Sequence, residues 1–320
     1  MDRDTPRKPP RPKRSSAMVE ATWLYYHGNL NQSEVAQRLG VSRASVVNYL
    51  QDARAAGLVR VTLAEEPFTR HQLSLGLCDK FGLEAAYVVP TGADAAETLT
   101  RVAKGAADWL TGLLAPGDRL GVAWGQTVFK VAEHLDATAI PDLEVLQLVG
   151  SVPSPFGFTA EACTTTLAQK LSATCTNLFV PAILSSEENA DILRREPIIA
   201  GQLARLATCN KAIFAAGSCQ PDSHVVGAGV ASVQDLNAYV AAGAKGVLCG
   251  RFVTGAGAHL SGSLDARIIG VTPDQLRGLD MALLVSCGSD KVAPMRAVMA
   301  GRYATHLVTD FDTAEALIAD

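Results

Sequence analysis

Apolar residues near the start of the chain recur every three or four positions, which is the period of an α-helix. Residues 17–27 (AMVEATWLYYH) show this spacing, and the glycine and asparagine that follow predict the end of that helix. Asn31, with Glu34 three residues later, predicts a capping box at the start of a second helix. Gly40 predicts the end of this second helix, because glycine is favoured just after a helix.

A third helix is predicted from near Ser42 to about residue 56, with Val46 and Leu50 four positions apart on one face. The segment LVRVTL, residues 58–63, then predicts a short strand. Two short helices joined by a tight turn form a helix-turn-helix, whose later helix can lie in the major groove of DNA. An ordinary three-helix packing unit has similar spacings, but the turn, the capping box and the inward apolar residues together favour DNA binding.

The rest of the chain alternates apolar, strand-like runs with segments of helical length. Val, Leu, Ile and Ala fill these runs almost continuously, which is typical of parallel strands buried on both faces. The runs cover residues 85–90, 119–125, 143–151, 177–184, 211–218, 245–252, 281–289 and 305–310. The pattern predicts an α/β protein with a helix-turn-helix domain at 17–63 and an open, doubly wound sheet domain at 64–320.

Charge divides the chain in the same way. Residues 1–63 contain ten Lys or Arg and five Asp or Glu, a net charge of +5, whereas the remaining 257 residues carry −9. A basic front end on an acidic body indicates that only the front end meets a polyanion such as DNA. Residues 1–16 are basic, rich in proline and poor in apolar residues, so we expect a disordered basic tail there.

The amino-terminal part of the third helix is expected to face the base edges of double-stranded operator DNA. Arg43 suits guanine, Asn48 suits adenine, and Val47 suits a thymine methyl group. Gln32 and Ser33, at the start of the second helix, suit phosphate contacts. The predicted DNA-binding residues are Gln32, Ser33, Ser42, Arg43, Ala44, Ser45, Val47 and Asn48.

The seven cysteines and six histidines are scattered along the chain. No C-x-x-C pair or histidine at ligand spacing accompanies them, so we expect no metal site and no cofactor. The cysteines are expected to be buried and unpaired in a reducing compartment. Since the sequence has neither a signal peptide nor a run of about 20 apolar residues, we expect a cytoplasmic protein that does not enter the membrane.

Two turns that follow buried strands have the composition of an anion site. The turn at 124–127 offers backbone N–H groups, the Thr127 hydroxyl and the amino terminus of a helix. The turn at 288–291 adds the cation of Lys291. Glycine and threonine also begin many helices, but two such turns at the carboxyl edge of one sheet favour ligand binding. The predicted effector-binding residues are Trp124, Gly125, Gln126, Thr127, Gly288, Ser289 and Lys291.

These segments resemble the SorC family of sugar-responsive bacterial transcriptional regulators, over nearly the whole chain after residue 17. The resemblance rests on ARAAGLVRV, GVAWGQTV, LQLVGS, LFVPA, AAGSCQPDS, GRF, CGSDK and HLVTDFDTA in this order. It implies a winged-helix-type DNA-binding domain and an effector domain with the fold of the sugar-phosphate isomerases. It also implies a phosphorylated sugar or polyol as effector, and a homo-oligomer that is a dimer or a tetramer of paired dimers.

One position departs from the family pattern. The family usually has an acidic residue before the Gly-Arg-Phe motif that contacts sugar hydroxyls, whereas this chain has Gly246 followed by Val247. Either the ligand has a different hydroxyl pattern, or another acid such as Asp222 or Asp310 makes this contact. Both aspartates also suit turn and cap positions.

The isomerase-like fold raises the alternative of a sugar-phosphate isomerase with an appended DNA-binding module. Isomerisation needs a base near a carbon-bound proton, and neither predicted loop has a carboxylate beside a histidine. A third possibility is a DNA-binding protein whose second domain only oligomerises, which leaves the anion-suited loops without a role. The sequence therefore favours a transcriptional regulator of a carbohydrate or polyol operon that is not an enzyme.

Overall fold

A computed structural model describes residues 14–59, 64, 66–69, 71–152 and 157–319. The chain divides into two compact units, one within Met1–Leu63 and the other within Ala64–Asp320. No helix of the described chain is long and apolar enough to cross a membrane. Most of the predicted tail (1–13) and most of the predicted strand that follows the third helix (60–63) lie outside the described residues.

The N-terminal unit consists of the helices α1 (Arg14–Tyr26), α2 (Gln32–Leu39) and α3 (Arg43–Ala55). The Asn31 side chain accepts hydrogen bonds from the N–H groups of Ser33 and Glu34, and the Glu34 carboxylate accepts one from the Asn31 N–H. This is the predicted capping box. Gly40 ends α2 in the left-handed conformation, with φ of 65°, and the Ser42 hydroxyl caps α3.

A small apolar core holds these three helices together. Its buried side chains are Ala21, Leu24, Val35, Ala36, Val46 and Leu50. Leu39 and Val41 are half-buried and pack against this cluster. Because α1 begins at Arg14, residues 14–16 of the predicted tail are helical instead of disordered.

The second unit contains nine strands and eleven helices among its described residues. The strands are β1 (Ala85–Val89), β2 (Arg119–Val122), β3 (Glu144–Gln147), β4 (Thr174–Thr176), β5 (Lys211–Phe214), β6 (Ala244–Leu248), β7 (Arg251–Thr254), β8 (Met281–Val285) and β9 (His306–Asp310). The helices are α4 (Glu66–Thr69), α5 (Gln72–Phe81), α6 (Ala95–Leu113), α7 (Gln126–His134), α8 (Ala160–Leu171), α9 (Glu187–Arg195), α10 (Pro197–Leu206), α11 (His224–Gly227), α12 (Val233–Ala241), α13 (Val292–Ala300) and α14 (Phe311–Ile318).

Seven of the strands form one parallel sheet in the order β1-β9-β8-β5-β2-β3-β4. From β2 the chain winds outward through β3 to β4, and from β5 it winds the opposite way through β8 to β9. The predicted doubly wound sheet is therefore confirmed. Its winding reverses between the neighbouring strands β2 and β5, and such a reversal opens a crevice at the carboxyl ends of the strands.

Alternating residues of the strands serve two separate apolar clusters. In β8, Ala282 and Leu284 belong to one cluster, and Met281, Leu283 and Val285 belong to the other. Since side chains alternate between the two faces of a strand, the two clusters cover opposite faces of the sheet. All five residues are buried, which explains the continuous apolar runs of the sequence.

Two of the predicted strands differ from the structure. Residues 177–184 form only isolated bridges, and β4 lies just before them. The run 245–252 is not one buried parallel strand but belongs to the antiparallel hairpin β6–β7, outside the main sheet. Cys249 and Gly250 both have positive φ, 51° and 79°, as the two-residue turn of a hairpin requires.

A buried ion pair anchors the hairpin to the segment that follows it. Arg251 Nη1 lies 2.8 Å from Asp265 Oδ1, and Arg251 Nε donates to the Val271 carbonyl. The Asp265 carboxylate also accepts hydrogen bonds from His259, the Gly262 N–H and Tyr239. Burial alone would raise the pKa of Asp265, but the hydrogen bonds from Arg251, His259 and the Gly262 N–H, together with the positive charge of Arg251, outweigh it and hold the pKa below its ordinary value.

We expect Asp265→Ala to destabilise the second unit by about 3–5 kcal/mol, because it leaves the Arg251 cation buried without its partner. The stabilising contribution of Asp265 is present at neutral pH and is lost as the pH falls through its lowered pKa. Urea unfolding followed by circular dichroism measures this loss. The matched control Asp274→Ala breaks an exposed pair with Arg277 and should cost about 0–1 kcal/mol. Equal losses would contradict the anchoring role.

Candidate functional site

The N-terminal unit presents a polar surface along the start of α3. Ser42, Arg43, Ala44 and Asn48 are exposed, and so is Ser33 at the start of α2. The other three residues predicted to meet DNA are half-buried, namely Gln32, Ser45 and Val47. Positions 42–45 therefore lie where a groove-reading helix presents its first turn.

Arg43 is held by a neighbouring helix. Its Nε atom donates to Gln32 Oε1 at 3.3 Å, which links the first turn of α3 to the first turn of α2. Ser45 contributes its N–H to the Ser42 hydroxyl at 3.1 Å, and the two hydroxyls lie 2.9 Å apart. Ser42 and Ser45 are therefore engaged in capping α3, whereas Arg43 and Asn48 extend from it.

A cavity of about 220 Å³ lies in the second unit at the reversal between β2 and β5. The lining residues come from the loops after β2, β5 and β8 and from the turn of the β6–β7 hairpin. They are Ala123, Trp124, Gly125, Gln126, Thr127, Ala215, Ala216, Gly217, Ser218, Asp222, Ser223, His224, Val225, Val247, Cys249, Gly250, Asp290 and Lys291.

The loop after β2 places the amino terminus of α7 at this cavity. Gly125 precedes α7 with φ of 153° and ψ of 158°, a conformation that is essentially restricted to glycine. Glycine has no side chain that could cap the helix, and no side-chain cap hydrogen bond forms at the amino terminus of α7. Thr127, in the same turn, adds a half-buried hydroxyl. Together these groups can donate several hydrogen bonds to an anion.

Lys291 brings a cation to the same cavity. It is the only lysine or arginine among the described lining residues. Its Nζ atom lies 2.7 Å from Asp290 Oδ2, so the cation is paired with a carboxylate that also lines the cavity. An anionic ligand that contacts Lys291 must compete with Asp290.

Gly288 and Ser289 do not line the cavity with Lys291. The Gly288 N–H donates to Thr313 Oγ1 at 2.8 Å, so this backbone group already has an acceptor. Of the predicted turn 288–291, the structure therefore brings only Lys291 and its neighbour Asp290 to the cavity. All four residues predicted in the first turn, 124–127, line it.

Sequence reasoning identified only part of a third segment, the loop between β5 and α11. Asp222, Ser223 and His224 line the cavity. In the polar run PDSH that follows a buried strand, Asp222 was named as one of two acids suited to sugar hydroxyls, but Ser223 and His224 were given no ligand role. Asp222 is thus at the cavity, whereas Asp310 is buried and hydrogen-bonded to Thr91 and Thr313.

The hairpin turn forms the apolar side of the cavity. Val247 is buried and lines it, and two backbone hydrogen bonds of 2.8 and 2.9 Å join Val247 to Gly217 in the loop after β5. Cys249 also lines the cavity, and burial raises the pKa of its thiol to about 12. Neither side chain can carry a charge at neutral pH.

His224 introduces a titratable group next to Lys291. Burial, and secondly the positive charge of Lys291, hold the pKa of His224 below 6.5. The imidazole is therefore neutral at physiological pH and can exchange hydrogen bonds with an uncharged group. Among the described residues, no group of three or more His, Cys, Asp or Glu side chains could hold a metal ion.

The cysteines are less buried than the sequence suggested. Only Cys163 and Cys249 are fully buried, and all seven are unpaired. Cys175, at the edge strand β4, is exposed, and the remaining four are half-buried. The prediction of uniformly buried thiols is therefore wrong, because several lie at strand ends and loops instead of within the sheet.

Two families match the chain. The family described as "Putative sugar-binding domain" matches residues 65–319, which is most of the second unit. The MarR family matches residues 22–67, which include α2 and α3. The boundary between the two matches falls close to the boundary between the two compact units.

Individual proteins are similar to this chain over nearly its whole length. The chain is 34% identical over 308 residues to the transcriptional regulator YjhU of Escherichia coli (strain K12), covering 94% of each. It is 28% identical to the Deoxyribonucleoside regulator of Bacillus subtilis (strain 168), covering 94% of this chain and 97% of that one. The full-length Sorbitol Operon Regulator SorC from Klebsiella pneumoniae has the same fold, with a TM-score of 0.80 at 22% identity, covering 96% and 100%.

We expect Lys291→Ala to raise the pKa of His224, because it removes the positive charge that opposes protonation of the imidazole. Burial remains, so the pKa should stay below 6.5. A titration followed by NMR of the imidazole Cε1–H measures it. The control Lys245→Ala removes an exposed lysine that does not line the cavity, and should leave the pKa of His224 unchanged. No change in Lys291→Ala would contradict the proximity of the two groups.

Proposed function

Since the chain belongs to the SorC family of sugar-binding transcriptional regulators, we propose that its effector is a phosphorylated sugar or polyol bound in the cavity between β2 and β5. The DNA-binding unit would then recognise an operator of a carbohydrate or polyol operon. One observation carries this proposal: the α7 amino terminus and Lys291 line the same small cavity. Both groups favour a phosphate, through N–H donors and through charge.

The phosphate would lie against the first turn of α7. Gln126 and Thr127 begin this helix, and Gly125 leaves its first N–H groups without a side-chain cap. Lys291 would add one charge-assisted hydrogen bond. Because the described lining contains a single lysine and no arginine, the cavity suits one phosphate group better than two.

The Asp290 carboxylate competes with the ligand phosphate for Lys291. Its oxygen atom Oδ2 lies 2.7 Å from Lys291 Nζ. A phosphate monoester carries close to two negative charges at neutral pH, so it can displace a single carboxylate from the lysine. Displacement would move the turn 290–291 at the start of α13 and could transmit ligand binding to the surface of the domain.

Recognition of DNA would depend on α3. Arg43 and Asn48 are exposed on this helix and are suited to guanine and adenine. We expect Ser33 and Gln32 to contact the phosphate backbone. We infer that the protein acts as a dimer or tetramer in the cytoplasm. The effector would alter how the second units pair and so change the spacing of two α3 helices on the operator.

An isomerase activity is a second candidate, because the cavity holds His224 and the carboxylates of Asp222 and Asp290. A neutral histidine near a bound sugar phosphate could act as a base. Incubation of the protein with sugar phosphates, followed by NMR of the mixture, distinguishes the two candidates. We expect binding without a new product, and stoichiometric excess of a new isomer would favour the enzyme.

We expect Lys291→Ala to abolish most of the stabilisation by sugar and polyol monophosphates in a thermal-shift assay, because the phosphate loses its only lysine. Operator affinity without ligand should stay close to wild type. Asp290→Asn should have the opposite effect and strengthen binding, since it removes the carboxylate that competes for Lys291. Wild-type ligand response in Lys291→Ala would show that the phosphate binds elsewhere.

We expect Arg43→Ala to weaken specific operator binding by about 1–3 kcal/mol, because a guanine loses its bidentate partner. Electrophoretic mobility shifts with the operator and with a scrambled duplex measure the specific and nonspecific parts. Arg38→Ala, on the exposed side of α2, removes the same charge and serves as the control. Equal loss of discrimination in both variants would remove Arg43 from the reading surface.

A further inference from the structure

We propose that Asp222 and Ser223, in the loop between β5 and α11, form the subsite that binds the hydroxyl groups of the effector. This inference rests on the proposed function, because it assumes that the phosphate group occupies the side of Thr127 and Lys291. The two ends of the ligand would then contact different loops of one cavity. The ligand class that follows is a monophosphate of a sugar or polyol with two neighbouring free hydroxyl groups.

Ser223 has a hydroxyl that lacks a partner. The residue lines the cavity and is only 6% exposed, and its Oγ atom is buried without a hydrogen bond. A buried hydroxyl without a partner costs about 1–3 kcal/mol. Rotation about the Cα–Cβ bond gives the hydroxyl other staggered positions, so it can turn toward a ligand in the cavity. The hydroxyl group of a sugar would supply the missing partner.

Asp222 supplies the acceptor that sugar hydroxyls favour. It lines the cavity beside Ser223, and no described residue forms a hydrogen bond or ion pair with its carboxylate. A carboxylate has two oxygen atoms that can accept hydrogen bonds from two adjacent hydroxyls at once. A negative charge at this position also disfavours a second phosphate, so the phosphate is confined to the side of Lys291.

The hairpin wall of the cavity offers the hydroxyls little hydrogen bonding. Val247 offers only methyl groups, and the Cys249 thiol is a weak donor that stays protonated because its pKa is raised to about 12. Asp310 is engaged with Thr91 and Thr313 and does not line the cavity. The carbon skeleton of the ligand would lie against Val247, with its hydroxyls turned toward Asp222 and Ser223.

The negative charge of Asp222 gives the substitution Asp222→Asn two opposite effects on ligand affinity. Removing a negative charge from the cavity should tighten the binding of a phosphate on electrostatic grounds alone. If Asp222 accepts hydrogen bonds from the ligand, Asp222→Asn should instead weaken the binding of a hydroxylated phosphate. The two effects have opposite signs, so the direction of the change decides between them.

The experiment measures dissociation constants of the full chain by isothermal titration calorimetry. The probes are sorbitol 6-phosphate, fructose 6-phosphate, ribose 5-phosphate and inorganic phosphate. We expect Asp222→Asn to weaken the tightest sugar or polyol phosphate about 10- to 100-fold, as the loss of a charge-assisted hydrogen bond predicts, without weakening inorganic phosphate. The control Asp79→Asn changes an exposed acid of α5 outside the cavity and should alter neither.

Ser223→Ala provides a second measurement that does not depend on charge. Because it removes a hydroxyl without a partner, it should leave the melting temperature of the ligand-free protein unchanged or higher, while it weakens the sugar phosphate severalfold. Wild-type affinity for a sugar phosphate in both variants, with weaker binding in Lys291→Ala, would overturn the subsite and leave the proposed function intact. Failure of every probe to bind the wild-type protein would contradict the proposed function and the subsite together.

Discussion

The arrangement of the second unit depends on one constraint, the burial of a parallel sheet on both faces. Parallel strands need crossover connections, so all their carboxyl ends lie at one edge and the loops that follow them converge there. The reversal of winding between β2 and β5 separates two of these loops and leaves room for a small molecule. Burial on both faces favours apolar residues in the strands. Polar residues such as Gln126, Thr127, Asp222 and Lys291 follow the strands, where their side chains line the cavity.

The β6–β7 hairpin adds a wall that the parallel sheet alone would not provide. It is joined to the loop after β5 by two backbone hydrogen bonds between Gly217 and Val247. A side chain at Gly217 would place its Cβ only 3.0 Å from the Val247 Cβ, so the close approach favours glycine there. The buried Arg251–Asp265 pair anchors the same hairpin next to its turn. Rigid support of this kind holds Val247 and Cys249 in place beside the ligand.

The sequence predicted those parts of the fold that depend on local pattern. The three N-terminal helices with their caps, and six of the eight apolar runs, follow from periodicity and from residues such as Asn31 and Gly40, and the family identification is confirmed. The hairpin was misread because an apolar run with two glycines does not show whether the chain continues or turns at Cys249. The binding surfaces that were predicted on α3 and around the cavity stay predictions.

The cavity could be predicted only in part, because its members come from separate loops. The turn at 124–127 was visible as a glycine and a threonine between a strand and a helix. Ser223 and His224 were not assigned, and Asp222 was only one of two candidate acids, since nothing in the run PDSH shows that it lies beside a turn almost a hundred residues earlier. Gly288 was wrongly predicted to bind the ligand for a similar reason. Its N–H donates a hydrogen bond to Thr313, which is distant in sequence.

The contact between Lys291 and Asp290 would make the cavity selective among anions. A bare lysine in a small cavity would attract chloride, acetate and other singly charged ions that are abundant in any cell. A lysine that already has a carboxylate neighbour offers such ions little gain, and only a more highly charged group can take its place. A regulator built this way would ignore the ionic background of its surroundings and respond to fully ionised phosphate esters.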